Sequence, residues 1–148
     1  MRGGGGDPWS PVTQQAFTVP AGTYCDFAFH YEPERQNIQE RIIATWPDGS
    51  PRLIEFPGQL IGTTTNLETG DSMRRSASGR AVETLSQDGA MLRDEMYGPV
   101  GFGFRQGDGY PQGYYLFHGQ HVVTFDAAGT RTMVLDRGVA ENVCDPLG

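Results

Sequence analysis

From Phe17 onward the chain alternates apolar and polar residues, and glycine- or proline-containing turns interrupt the alternation at short intervals. Within Tyr24–Tyr31, Cys25, Phe27, Phe29 and Tyr31 fall on one face, and Tyr24, Asp26, Ala28 and His30 on the other. A period of two places apolar side chains on one side of an extended backbone, so this segment is predicted as a half-buried strand. Gln39–Trp46 reads the same way, with Ile42, Ala44 and Trp46 on one face, after a polar connection over Glu32–Asn37. Pro47-Asp48-Gly49-Ser50, Glu68-Thr69-Gly70-Asp71, Gln87-Asp88-Gly89-Ala90 and Ala127-Ala128-Gly129 are turn sequences. Proline presets φ in such turns and glycine accepts positive φ.

Between these turns lie Arg52–Phe56, Gln59–Leu67, the polar Ser72–Ser86 with Gly79 as a bulge, Met91–Tyr97 and the alternating Val100, Phe102 and Phe104. A glycine-rich loop, Gln106–Gly113, leads to Tyr114–His118 and His121–Asp126, predicted as the arms of a tight hairpin around Gly119-Gln120. Thr130–Cys144 is the last segment. No stretch has a helical period. The pattern predicts an all-β domain of about eight or nine strands. Sequential hairpins favour an antiparallel up-and-down β-barrel over residues 17–148, with a β-sandwich as the alternative. Residues 1–16 lack the pattern and are expected to be a flexible segment. Met1-Arg2, Gly3–Gly6, Asp7 and Pro8 read as a linker or expression scar in place of a removed leader.

With 148 residues, 21 glycines and 10 prolines, the composition suits one turn-rich domain with a real core. Its two cysteines, Cys25 and Cys144, lie at the outer ends of the patterned region. The one intramolecular bridge they allow fits an oxidising compartment, so the protein is expected to be secreted. All eleven Lys and Arg positions are arginines and the net charge is −7. The absence of lysine excludes Schiff-base chemistry. The negative field disfavours nucleic acid and anionic membranes. No apolar run is long enough to span a bilayer.

Candidate chemistry is sparse. If Gly119-Gln120 were a two-residue turn, His118 and His121 would oppose each other on one face. Two imidazoles fall short of the three or four ligands of a zinc site, so no metal is expected. Asp94 and Glu95 are strand neighbours and point to opposite faces, which prevents them from flanking one bond as a glycosidase pair. Either one, facing inward, could serve as a base with its pKa raised by burial. Gly101-Phe102-Gly103-Phe104 lacks the third glycine of a dinucleotide fingerprint, and the chain has neither a nucleophile elbow nor a Walker loop. No cofactor is expected. Trp46, Tyr97, Phe102, Phe104, Tyr114 and Phe117 are the aromatic stock from which a ligand cavity would be lined.

The runs Cys25-Asp26-Phe27, Thr65-Asn66-Leu67-Glu68-Thr69-Gly70, Val123-Thr124-Phe125-Asp126-Ala127-Ala128-Gly129 and Asn142-Val143-Cys144-Asp145-Pro146-Leu147 resemble an uncharacterised family of secreted actinobacterial β-proteins with a terminal Cys pair. The resemblance implies a shared fold and export. It carries over no catalytic residue. The leading functional expectation is a secreted monomer or weak dimer that binds a small apolar or amphipathic molecule inside the barrel. A cofactor-free cyclase or isomerase acting in the barrel, and a cell-envelope structural or interaction protein, are the alternatives.

Overall fold

The structure, a computed structural model, describes residues 9–148, so the linker expected over Met1–Pro8 lies outside the described residues. The elements in chain order are β1 (Ser10–Val12), β2 (Phe17–Val19), β3 (Phe29–Thr45), β4 (Pro51–Asn66), β5 (Ser72–Ser76), β6 (Arg80–Leu85), β7 (Met91–Tyr97), β8 (Val100–Phe104), β9 (Gly113–Phe125), β10 (Arg131–Asn142) and the short helix α1 (Cys144–Leu147). The protein is all-β: the ten strands form one antiparallel sheet, in the order β1-β3-β4-β6-β7-β9-β10. β2 pairs with β3, β5 with β4 and β8 with β9, off this path. The four predicted turns fall between strands as read.

Two long strands give the sheet its shape, because each changes partner halfway. β4 pairs with β6 over Leu53–Pro57 and with β5 over Ile61–Thr65. Pro57-Gly58 sits between these stretches, and Gly58 has φ +145°. Proline offers no N–H to a ladder and glycine accepts the positive φ, so the strand bends here rather than ending. β9 likewise pairs with β8 over Gly113–Phe117 and with β7 over Gln120–Thr124. The switch falls at Gly119, opposite the cis Gly98-Pro99 peptide that links β7 to β8.

Three local expectations are corrected. Gly119-Gln120 is not a hairpin turn, because β9 runs through it, pairing His118 with Val139, Gly119 with Gly138 and Gln120 with Arg137 on β10. Gly119 and Gly138 both have positive φ, and a Cβ on either would collide with the opposite backbone. The two glycines are required by their close approach to each other. Glu32–Asn37 is not a connection but the middle of β3, whose register shifts between Pro33 and Arg35. That shift, a bulge, absorbs the proline and disguises the period. Tyr24–Ala28 is bent rather than extended, although Cys25, Phe27, Phe29 and Tyr31 are all buried, as their alternation requires. Within the segment expected to be flexible, Ser10–Val12 pairs with Ile38–Glu40 on the free edge of β3.

One core cluster joins Val19, Cys25, Phe27, Phe29, Val143 and Leu147 at the chain ends. The Cys25–Cys144 disulfide crosses it, with a sequence separation of 119. Asn66 Nδ2 adds a hydrogen bond to the Leu147 carbonyl, at 2.8 Å, so the end of β4 holds the C-terminus in place. The second cluster packs Met96, Phe104, Tyr115, Phe117 and Val123 beneath the Tyr110 ring. Among the described residues the sheet is not closed by hydrogen bonds: β1 and β10 end its path unpaired with each other. Arg75 on β5 reaches Glu141 on β10 instead, its Nε and Nη2 each donating to a carboxylate oxygen at 3.1 Å.

Candidate functional site

The bends in β3 and β4 leave space between the halves of the sheet, a cavity of about 510 Å³. Each element contributes through the period of its strand. Tyr31 and Ile38 come from β3, and Phe56, Leu60 and Thr64 from the inner face of β4. β6 contributes Arg80, Ala81 and Glu83, the last two standing two residues apart and therefore on one face. Val100 on β8 and Tyr114 and Leu116 on β9 form the opposite side, while Phe17 and the Val12–Gln15 segment cover another. Apolar and aromatic side chains dominate this wall, as in sites for small organic molecules.

The polar groups of the wall differ in how well they are satisfied. Arg75 is tied to Glu141, and Arg80 Nη1 lies 3.2 Å from Glu55 Oε2 with its guanidinium 4.2 Å from the Tyr97 ring centroid. Tyr31 is only 8% exposed, stacks on Phe17 at 5.2 Å and has a hydroxyl with no hydrogen-bond partner. Burial, and then the charge of Glu34, push its pKa up. Tyr114 lies against Phe29, Tyr24 and Phe17, and burial followed by Tyr31 and Tyr24 raises its pKa as well. Both phenols are therefore neutral and available as donors.

Glu83 is the acidic group of the wall. Directly across the β6–β7 ladder stands Asp94, on the same face. Asp94 is 7% exposed and its Oδ1 has no partner. Burial raises the Glu83 pKa, and the Glu40 carboxylate raises it further. Burial lifts Asp94 to about 7, with Glu83 and Glu95 adding to the rise and Arg131 opposing it. The sequence marked Asp94 as a group that burial would perturb if it faced inward. Glu83, in the same ladder, carried no such mark, because Ser72–Ser86 read as a polar, extended segment with no apolar face to show which side was inward.

The other expected site residues are dispersed. Of the aromatic stock, only Tyr114 lines the cavity. Phe104 and Phe117 are fully buried in the second core cluster, with Phe102 packed against it. Trp46 closes the β3–β4 end, where its Nε1 donates to the Leu85 carbonyl at 3.0 Å. Tyr97 lies beneath Arg80, and Glu95 lies 3.5 Å from Arg93. His118 and His121 point to opposite sides of β9, so the structure does not bring them together: His118 is exposed, while His121 is fully buried. His121 Nε2 lies 3.0 Å from Asp136 Oδ1, its ring is 4.5 Å from Phe117, and burial lowers its pKa against the pull of Asp136. Among the described residues no group of three or more His, Cys, Asp or Glu side chains could hold a metal ion, and no helix is long and apolar enough to cross a membrane.

The lining residues that sequence reasoning missed, Phe17, Tyr31, Ile38, Phe56, Leu60 and Val100, lie on four strands. Tyr31 was legible as inward-facing from the Cys25–Tyr31 alternation. Phe56 and Leu60 required knowing that Pro57-Gly58 bends one strand instead of separating two. Comparison with known protein families, curated proteins and solved structures gave no match.

Proposed function

We propose that the protein binds a small apolar or amphipathic molecule in the cavity between the two halves of its sheet. The observation that carries this reading is the cavity itself: about 510 Å³, with a mostly aromatic and aliphatic wall drawn from several strands. That volume lies in the range of small-molecule sites. On this reading the strands wrap the ligand as a flattened barrel, and the Arg75–Glu141 pair bridges the seam that hydrogen bonds leave open. The hydroxyl of Tyr31 would gain a hydrogen-bonding partner from a polar atom of the ligand. Export to an oxidising compartment belongs to the same proposal and is supported by the Cys25–Cys144 bridge.

The test is a titration with an environment-sensitive hydrophobic fluorophore, on the parent chain and on Val100→Trp, which fills the cavity from β8. Saturable binding to the parent, lost in a variant whose melting temperature is retained, is the expected result. Absence of saturable binding to the parent would sink the reading.

A further inference from the structure

We propose that the cavity takes a hydrophobic cation, such as an alkyl- or arylamine, whose protonated nitrogen sits at Glu83 while its apolar body fills the space between Ile38, Phe56 and Leu60. This deepens the reading of the cavity as a ligand site and rests on it. The cavity wall is charged as well as apolar. Its two arginines already have carboxylate partners: Arg75 is held by Glu141, and Arg80 by Glu55, which also takes Arg41 Nη2 at 3.2 Å. Among the described residues Glu83 has no ion pair. Its neighbours add to the negative charge. Asp94 faces it from β7, and Glu40 acts on it from β3.

Asp94 supplies an independent sign that something is missing. Its carboxyl is more than nine-tenths buried on the face that Glu83 shares, and its Oδ1 has no partner. Burying a carboxyl oxygen without a partner is costly, so such a group marks a place where a donor or a positive charge would be stabilising. Arg131, the cation nearest in effect to Asp94, makes no ion pair with it: its Nη1 donates to the Gly103 carbonyl and the Tyr24 hydroxyl, its guanidinium stands 4.9 Å from the Phe102 centroid, and its buried Nε has no partner of its own.

The missing charge has the character of an organic cation rather than a metal ion, since among the described residues no group of three or more His, Cys, Asp or Glu side chains gathers as a ligand set. An ammonium also gains from the ring beside the acid. Phe56 pairs with Ala81 and Ile54 with Glu83 in the β4–β6 ladder, so Phe56 is a diagonal neighbour of Glu83 on the cavity side. A cation over an aromatic face in a desolvated site is attracted to it. The elevated pKa values of Glu83 and Asp94 fit this picture, because an ammonium would lower them on binding.

The experiment compares three probes with a common fluorophore and similar tails at neutral pH: dansylcadaverine, its N-acetyl derivative and dansyl-aminocaproic acid. The protonated amine is expected to bind at least tenfold more tightly than the neutral derivative and more tightly still than the acid. In Glu83→Gln, with an unchanged melting temperature, that preference is expected to vanish while the neutral probe binds as before. Equal binding of the amine and the neutral probe, or tighter binding of the acid, would overturn the cation assignment and leave the cavity reading intact. A preference that survives Glu83→Gln would also overturn the assignment. Failure of all three probes to saturate the parent chain would remove the cavity reading and this inference with it.

Discussion

Gly119 and Gly138 are register partners in the β9–β10 ladder, both at positive φ, with backbones so close that neither position has room for a Cβ. The paired glycines let β9 continue past the point where it exchanges β8 for β7.

Replacing Gly138 with alanine should therefore cost about 1–3 kcal/mol, through the strained dihedral and the collision with the His118 carbonyl. Gly49→Ala is the control: Gly49 has a similar positive φ of +89°, but its Cβ would meet open space. Urea unfolding should show a clearly larger loss for Gly138→Ala. Equal losses would mean that the close approach contributes nothing.

The disulfide joins residues 119 apart. In the chain-entropy picture a loop of this length stabilises the fold by on the order of 4–5 kcal/mol. Cys25→Ser with Cys144→Ser should lower the melting temperature while preserving the far-ultraviolet spectrum. A melting temperature indifferent to reductant would contradict this role.

Asp94 titrates near 7 in the folded protein, against about 3.9 for an unfolded aspartate. The native state thus holds a proton that the unfolded chain has lost. The corresponding stability is fully present below about pH 4 and is lost as the pH rises to about 7, by on the order of 4 kcal/mol. Asp94→Asn should flatten that decline. Denaturant midpoints from pH 4 to 8 would show it, and parallel profiles for the two proteins would refute it.

His121 acts in the opposite sense. Burial lowers its pKa, so it is held neutral while the unfolded imidazole takes up a proton near pH 6.5. Acidification below that point costs stability. His121→Phe keeps an aromatic ring against Phe117 and should remove this acid-side loss. A profile unchanged between pH 7 and 5 would show that the imidazole is not held neutral.

The fold class was legible in the chain because turns are local. Pro47–Ser50, Glu68–Asp71, Gln87–Ala90 and Ala127–Gly129 set their own backbone conformations, and the structure places each between strands. The Cys25–Tyr31 alternation marked the buried face correctly although part of it is not extended. Other features depended on partners distant in sequence. Gly119 looks like a turn glycine until Gly138 is found opposite it. Pro33 looks like part of a connection, and Pro57-Gly58 like either a bend or an end, until the register shift and the bend are seen to absorb them. The cavity was the least legible feature, because its wall samples residues from Val12 to Val143 that converge only after β3 and β4 have bent. Tyr114 was identified as part of it; Glu83 had no local pattern to distinguish it.

The ion pair between Arg75 and Glu141 leaves both side chains a third or more exposed. Dissolved electrolyte therefore screens it far more than it screens the hydrogen-bonded ladders on either side. If the cavity exchanges its contents through the gap between β5 and β10, guest entry and exit would quicken together as ionic strength rises, with affinity for an uncharged guest little changed. Ionic strength would then regulate the lifetime of the complex independently of its strength.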